Sequence, residues 1–239
     1  MIKNKKILGI VLARAGSKGL PGKNFKKIND IPLIEYTFKA AKKSKYLDDV
    51  VLSSDCKNCI NIATSNDIEV PYIRPDFLSA DSTPSSDVII HMLDYLSGLE
   101  RTYDYVVLLE PTSPLREYED IDIALEKIVK FKCQSLVSIC KVEDQHPSFL
   151  FSFNDKSMLK TFSGREFKSL RRQEVSDLYF LEGTIYIAKV ESFKKFKSFI
   201  TEETLGFIVP KWKSFEIDDY VDYLCVESIL KNLNSIKKS

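Results

Sequence analysis

The sequence predicts a three-layer α/β/α fold of the Rossmann-like kind, with a mostly parallel sheet. Short apolar, β-branched runs alternate with segments of helical period along most of the chain, an order typical of a parallel sheet covered by helices on both faces. The chain has 239 residues, 44% of them hydrophobic, which is enough to bury one large core without disulfide bonds. Because no internal repeat, linker or low-complexity tract interrupts it, we expect a single domain over residues 1–239.

The charge balance excludes several classes of partner. Lys and Arg number 35 against 34 Asp and Glu, so the formal net charge is only +1. A chain without a global positive charge does not attract polyanions over a whole face, and we predict no nucleic-acid partner. No apolar run approaches the roughly 18 residues that a membrane-spanning helix needs, and we predict no membrane partner.

The first half of the chain predicts βα units in sequence. Residues 7–12 form a continuous apolar run that is typical of a strand covered on both faces. The charged residues before this run superficially resemble a signal peptide, but the run is too short and a basic, glycine-containing loop follows it. The further elements predicted here are a helix after Pro32, strands at residues 50–52 and 70–73, a short helix at 60–66, and a helix capped by Ser85 and Ser86 that ends at Gly98.

The second half continues the pattern with one interruption. Residues 105–109 are the strongest strand of the chain, and Pro111 and Pro114 prevent further ladder pairing. The other elements predicted here are a helix at 117–130, strands at 136–139 and 184–187, and a final helix with its apolar stripe on Val221, Leu224 and Ile229. Between them, the Phe-rich segment 141–182 lacks a clear period. We interpret it as an insertion that packs on a second subunit, and therefore expect a homodimer.

A glycine-rich basic loop follows the first strand at residues 13–24. Ligands of open α/β sheets bind outside the carboxyl ends of the strands, where this loop lies. Its glycines allow backbone N–H groups to approach phosphate oxygens, while Arg14, Lys18 and Lys23 can neutralise their charge. The spacing matches neither a Walker A loop nor a G-x-G-x-x-G motif. The alternative interpretation is a flexible surface turn with solvated lysines.

This loop resembles the signature of the acylneuraminate cytidylyltransferases, the CMP-sialic acid synthetases. Further matching segments follow in the same order along nearly the whole chain: residues 53–55, Arg74-Pro75, Ser85, the Pro-Thr-Ser-Pro-Leu-Arg run at 111–116, Arg172, residues 183–187 and residues 216–218. The resemblance implies a nucleotidyltransferase that moves CMP from CTP to the anomeric hydroxyl of an acidic nine-carbon sugar. Pyrophosphate leaves, and the CMP-activated sugar serves the synthesis of a surface glycan.

The resemblance also implies roles for individual residues. The implied catalytic residues are Arg14, Lys23 and Asp218. The implied nucleotide-binding positions are Ala13, Arg14, Gly16, Ser17, Lys23, Asn24, Arg74 and Ser85, with Arg74 and Ser85 at the cytosine. The implied sugar-binding positions are Glu110, Arg116, Arg172 and Glu182. The implied metal ligands are Glu216 and Asp218, which would hold Mg²⁺ together with the co-substrate CTP.

The two predicted metal ligands stand two residues apart. On a strand, both carboxylates would face the same side and offer the oxygen ligands that Mg²⁺ prefers. The alternative is that Asp218 caps the last helix, with Asp219 and Asp222 as favourable first-turn acids.

Two acids depart from the family pattern. Glu110 replaces the usual glutamine before Pro-Thr-Ser-Pro, and Glu182 replaces the usual asparagine before Gly-x-Ile-Tyr. Carboxylates near an acidic sugar are unfavourable without a positive partner. We therefore expect either a sugar with a basic substituent or pairing of these acids with Arg116 and Arg172. A cytidylyltransferase for an eight-carbon acid such as 3-deoxy-manno-octulosonate, or a nucleotide-binding module without catalysis, remain as alternatives.

The five cysteines do not form a secretory disulfide pattern, because their number is odd and their spacing uneven. A reducing cytoplasm is the expected location. Cys56 and Cys59 make a Cys-x-x-Cys motif, but a zinc site needs a second ligand pair, and we interpret both as ordinary residues at the start of a helix.

Overall fold

The computed structural model describes residues 2, 4–16, 19–143, 145–162 and 175–238, and its centre is a six-stranded sheet. In spatial order the strands are β10 (Thr204–Ile208), β6 (Ser135–Lys141), β9 (Tyr179–Lys189), β5 (Tyr105–Leu108), β1 (Ile7–Ala13) and β4 (Asp49–Ser54). β1 is parallel to β4 and β5, and β10 is parallel to β6. Only β9 runs antiparallel to its neighbours within this sheet, which confirms the mostly parallel prediction.

Helices cover both faces of the sheet. The helices of the described chain are α1 (Leu33–Lys43), α2 (Lys57–Ser65), α3 (Ser85–Gly98), α4 (Tyr118–Phe131), α5 (Val190–Phe196), α6 (Tyr220–Lys231) and α7 (Leu233–Ile236). α1, α2 and α4 pack with one set of strand side chains, including Ile7 and Val11, whereas α3 and α5 pack with the opposite set, including Leu8 and Ile10. Alternate β1 side chains therefore enter different layers, as the pleat requires. No helix in the described ranges is both long and apolar enough to cross a lipid bilayer.

Two small hairpins lie outside the main sheet. β2 (Lys27–Ile28) pairs with β3 (Ile31–Pro32) directly after the glycine-rich loop. β7 (Phe151–Phe153) pairs with β8 (Leu159–Thr161) inside the predicted insertion. The described part of the insertion thus contains a hairpin that is separate from the main sheet. Its predicted end at residue 182 is too late, because the first residues of β9 already extend the main sheet by pairing with the end of β6.

Several predicted boundaries are wrong for local reasons. The strand predicted at residues 70–73 does not form, and the chain makes only isolated bridges from Glu69 to Val51 and from Ile73 to Ser54. Pro71 lies between these bridges and has no N–H for a ladder. Ser85 is the first residue of α3 rather than its cap, because Pro84 precedes the helix and no side chain makes a capping hydrogen bond.

The C-terminal part differs more strongly from the prediction. Residues 214–218 are irregular and do not form the expected strand. In α6, Val221 and Leu224 are exposed, while the buried side chain of the helix is Val226. Ile229 of the predicted stripe does pack on the core cluster that contains Val226, so the prediction is wrong for Val221 and Leu224 only. Tertiary contacts set the direction in which the irregular segment enters the helix, and periodicity does not contain them.

Candidate functional site

A cleft of about 680 Å³ opens at the carboxyl ends of β1 and β5. Chain segments that follow each of these strands supply its walls, as expected for an open α/β sheet. Eight of the predicted site residues line it: Arg14, Lys23, Asn24, Arg74, Ser85, Glu110, Glu216 and Asp218. These residues span more than 200 positions of sequence, so their convergence on one cleft is a property of the fold.

The other predicted positions lie elsewhere. Ala13 is buried in β1, and Gly16 is exposed in the loop beyond it. Arg116 and Glu182 are buried outside the cleft lining. Ser17 and Arg172 lie outside the described residues, as does Lys18.

The glycine-rich loop is fastened at both ends. At its start, the hydroxyl of Ser54 donates to the carbonyl of Ala13 at 2.5 Å, and the amide of Ala15 donates to Asp55 Oδ1 at 2.8 Å. At its end, Gly22 adopts a left-handed backbone with φ of 68°. Between them, a side chain at Gly19 would overlap the backbone carbonyl of Asp218. The loop thus rests directly on the segment that carries the acidic pair.

The two loop cations that the structure describes, Arg14 and Lys23, each pair with a carboxylate that lines the cleft. Lys23 Nζ lies 2.9 Å from Asp218 Oδ1 and donates to the carbonyl of Ile217 at 3.0 Å. Arg14 forms an ion pair with Asp81, which the sequence analysis did not single out. An isolated acid on an irregular loop carries no periodic signal, so only the tertiary structure reveals this partner. An anionic ligand that binds either cation therefore competes with the carboxylate already paired to it.

Arg74 forms the floor at the other end of the cleft. Its Nε donates to Ser53 Oγ at 3.1 Å, and its Nη2 donates to the carbonyl of the same serine at the end of β4. Burial lowers the pKa of Arg74 below the ordinary arginine value. Apolar side chains of Leu78 and Val88 line the wall beside it. A fixed guanidinium beside an apolar wall suits a flat ring with hydrogen-bond acceptors.

Carboxylates crowd the centre of the cleft. Burial raises the pKa of Glu216 to about 7, the amide of Gly183 opposes this by stabilising the charged form, and Glu110, Glu182 and Asp218 add to the rise by repulsion. Burial also raises the pKa of Glu110, against the attraction of Arg116 and Lys23. This part of the site therefore has an excess of negative charge, which favours the binding of a cation.

Arg116 lies behind the cleft and binds the backbone. Its Nη2 donates to the carbonyls of Glu110 at 2.8 Å and Gly183 at 3.3 Å, and its Nε donates to the carbonyl of Thr184. Burial lowers its pKa to about 10. The guanidinium thus joins the loop after β5 to the middle of β9 and compensates nearby acids through space.

Glu182 is only 2% exposed and is held by its own strand. Its Oε2 accepts from the amide and hydroxyl of Thr184 at 3.1 and 2.6 Å. Its Oε1 has no hydrogen-bond partner within the described part of the chain. Among the described residues Arg116 makes no ion pair with Glu110 or Glu182, but its charge opposes the rise in pKa that burial causes in both carboxyls. The predicted pairing is therefore present only as attraction through space.

The two predicted metal ligands both face the cleft although they are not on a strand. Between them Ile217 is buried, and its amide donates to the carbonyl of Thr112 at 2.9 Å. The cap of α6 is Asp219, which accepts from the amides of Val221 and Asp222, so the alternative cap role for Asp218 is wrong.

The donor set of this pair fits Mg²⁺. In the described ranges, no group of three or more His, Cys, Asp or Glu residues could hold a metal ion. Two carboxylates leave coordination positions open for phosphate oxygens and water, which is how Mg²⁺ is usually bound with nucleotides. A cation there would also relieve the repulsion that raises the pKa of Glu216.

Comparison with known proteins gives concordant matches. The family model described as "Cytidylyltransferase" matches residues 8–204. The chain is 32% identical over 230 residues to CMP-N,N'-diacetyllegionaminic acid synthase of Legionella pneumophila, with 95% of this chain and 97% of that protein covered. It is 34% identical over 219 residues to N-acylneuraminate cytidylyltransferase of Streptococcus agalactiae serotype V, covering 91% of this chain but 51% of that protein. The chain thus spans about half the length of the streptococcal relative.

A solved structure supports the same fold. CMP:2-keto-3-deoxy-manno-octonic acid synthetase, in complex with CTP, superposes with a TM-score of 0.70 at 15% identity, covering 95% of this chain and 99% of the other. At this identity the similarity establishes the architecture and leaves the substrate open.

Proposed function

The chain belongs to the cytidylyltransferase family, and we propose that it transfers CMP from CTP to the anomeric hydroxyl of a nonulosonic acid. The observation that carries this proposal is the juxtaposition in one cleft of the glycine-rich loop cations, a buried arginine beside an apolar wall, and a carboxylate pair. Nucleotidyl transfer requires these parts: a seat for the base, neutralisation of the triphosphate, and ligands for a metal.

CTP occupies the cleft with its base beside Arg74 and Ser85. The cytosine ring packs on the apolar wall at Leu78 and Val88, while loop amides and the side chains of Arg14 and Lys23 bind the triphosphate. Asn24, buried next to Lys23, meets the ribose or base region. Charge sets this orientation of the nucleotide, because its anionic triphosphate must lie at the basic loop.

The reaction is an in-line displacement at the α-phosphorus. The anomeric hydroxyl loses its proton to solvent as its oxygen forms the new bond to the α-phosphorus. The bond from the α-phosphorus to the oxygen that bridges the α- and β-phosphates breaks, which releases pyrophosphate. Lys23 and Arg14 stabilise charge on the non-bridging oxygens as it develops. Glu216 and Asp218 would hold Mg²⁺, which would neutralise phosphate charge and lower the pKa of a nearby hydroxyl.

A nonulosonic acid is the favoured acceptor class. The Legionella relative is named for a diacetylated legionaminic acid and the streptococcal relative for N-acylneuraminate. Of the two acids that depart from the family pattern, only Glu110 lines the cleft. A carboxylate at this position accepts hydrogen bonds from hydroxyl, N–H or ammonium groups of the sugar, so a sugar with a basic substituent remains the more specific version of the proposal. Arg172 and Arg116 keep their proposed sugar-side roles, with Arg116 acting through the backbone that it binds.

The test is a pyrophosphate-release assay with CTP, UTP, ATP and GTP crossed with N-acetylneuraminate, N,N'-diacetyllegionaminate, pseudaminate and 3-deoxy-manno-octulosonate. We expect turnover with CTP and a nine-carbon acid that depends on Mg²⁺ and falls at least 100-fold in Lys23→Ala and Asp218→Ala. Preference for the eight-carbon acid would support the alternative substrate. Binding of CTP without turnover of any sugar would support the non-catalytic module.

Homodimerisation through the insertion is part of the proposal. The hairpin β7–β8 and the start of β9 expose large apolar side chains, including Phe153, Leu159, Phe162 and Phe180. Apolar side chains clustered on a projecting segment are typical of a surface covered by another chain. A second copy of this protein is the proposed occupant.

A further inference from the structure

Lys213 is a buried charge outside the cleft. It ends a single 3₁₀ turn, Lys211–Lys213, and immediately precedes the irregular segment that carries Glu216 and Asp218. Its side chain is 7% exposed, with Nζ 2.7 Å from each carboxylate oxygen of Asp120 and 2.9 Å from Glu117 Oε2. Lysine is almost never this buried unless it is paired.

The partners of Lys213 belong to the rigid start of α4. Glu117 and Asp120 form a reciprocal capping box, in which the amide of Glu117 donates to Asp120 Oδ2 at 2.8 Å. α4 itself is anchored in the core by Ile121 and Leu125, both fully buried. The two acids therefore have little freedom to follow a moving lysine.

Residues 214–218, by contrast, have no ladder of their own. The described contacts that locate this segment include the Lys213 ion pairs at its start, the buried Ile217 with its hydrogen bond to Thr112, and the capping box of α6 at its end. Lys23 adds bonds to the Ile217 carbonyl and to Asp218, and the amide of Gly183 bonds to Glu216. Glu216 lies between the first and second of these anchors. Where regular structure is missing, the placement of a side chain depends on such anchors.

We propose that Lys213 is a positioning residue for the acidic pair. Its ion pairs with Asp120 and Glu117 hold residues 214–218 against the start of α4, so that Glu216 and Asp218 face the cleft. This role rests on the proposed function, which assigns metal binding to these two carboxylates. A buried ion pair contributes little net stability compared with an apolar replacement, which is consistent with a use in placement.

Lys211 provides a matched control on the same turn. It pairs with Glu143 at 2.7 Å, and this ion pair is about half exposed. Trp212, the single tryptophan of the chain, has the Nζ of Lys213 5.0 Å from its ring centroid. Its fluorescence therefore reports on the surroundings of Lys213 without any label.

The experiment compares Lys213→Met, Lys213→Arg, Asp120→Asn and Lys211→Met with the wild type. Two readouts are measured: the Kd of Mn²⁺ in the presence of CTP by electron paramagnetic resonance, and the Mg²⁺ concentration that gives half-maximal pyrophosphate release. We expect Lys213→Met to raise both at least tenfold and to shift Trp212 emission. Lys213→Arg should stay within threefold of the wild type, and Lys211→Met should not change either value.

A folded Lys213→Met with wild-type Mn²⁺ affinity overturns the proposal, as do equal effects of Lys213→Met and Lys211→Met. If Lys213→Met does not fold, Asp120→Asn decides, because its amide oxygen can still accept from the amide of Glu117, while the closer of the two charges that face Lys213 is removed. Unchanged Mn²⁺ affinity in folded Asp120→Asn overturns the proposal in the same way. Absence of turnover in the wild type contradicts the proposed function instead, and the Mn²⁺ comparison still decides the role of Lys213.

Discussion

Asp81 holds the guanidinium of Arg14 in an ion pair when no nucleotide is bound. Both residues of this ion pair line the cleft, and both side chains are partly exposed. Exposed ion pairs contribute roughly 0–1 kcal/mol, so exchanging Asp81 for a phosphate group has a small but measurable cost. The position of Arg14 in the glycine-rich loop is visible in the sequence, whereas nothing in the sequence identifies the acid opposite.

For Asp81→Asn we expect the KM for CTP to fall by about two- to fivefold with kcat nearly unchanged, because the guanidinium of Arg14 is released. Steady-state kinetics at saturating sugar measure this split. Asp76→Asn, an exposed acid on the same loop away from the cleft lining, is the matched control. A higher KM in Asp81→Asn would show that Asp81 assists nucleotide binding.

Glu216 links pH to stability. Its pKa rises from 4.5 to about 7 on folding, first because of burial and then because of neighbouring acids. An acid with a raised folded pKa binds more protons in the native state, so stability falls as pH rises from 4.5 through 7. Without added metal, we expect the unfolding free energy of wild type to drop by about 2 kcal/mol more than that of Glu216→Gln between pH 5 and pH 8. Urea titrations of both proteins at several pH values measure this difference. The same change of unfolding free energy with pH in both proteins would contradict the prediction.

At the level of elements, the glycine-rich loop and the irregular segment 214–218 form one unit. The loop was predicted from its glycines, its charge and its place after a buried strand. Its contact with Asp218, about 200 positions away, and the irregular conformation of residues 214–218 were not predictable, because both depend on packing between distant segments.

Gly19→Ala tests this contact. The added methyl group would overlap the carbonyl of Asp218, so the loop must move away from the acidic pair. We expect kcat/KM to fall at least tenfold while the melting temperature changes by about 2 °C or less, since the loop is peripheral to the core. Gly98→Ala is the control, because nothing lies within 4 Å of the added atom and alanine favours a helix. Equal activity of both variants would contradict the expected coupling.

For the whole molecule, the proposed dimer predicts a surface that is covered in solution. Phe153 and Leu159 expose 74% and 64% of their area in one chain. We expect light scattering to give twice the mass of the chain at micromolar concentration. Replacing both residues by Ser should shift the mass to that of one chain, whereas Leu99→Ser, at an exposed position after α3, should not. A wild-type monomer would refute the dimer.

The sequence by itself determined the layered α/β architecture and the basic loop at the end of the first strand, and its resemblance to a known family identified eight of the residues that line the cleft. These depend on local periodicity, on proline and glycine, and on short motifs, all of which lie within a few residues of each other. The tertiary structure alone decided which charges meet. It paired Arg14 with Asp81 and Lys23 with Asp218, turned Arg116 toward backbone carbonyls, and buried Lys213 against α4. Electrostatic partners are chosen by distance in space and by exclusion of water, and neither quantity is present in the order of residues along the chain.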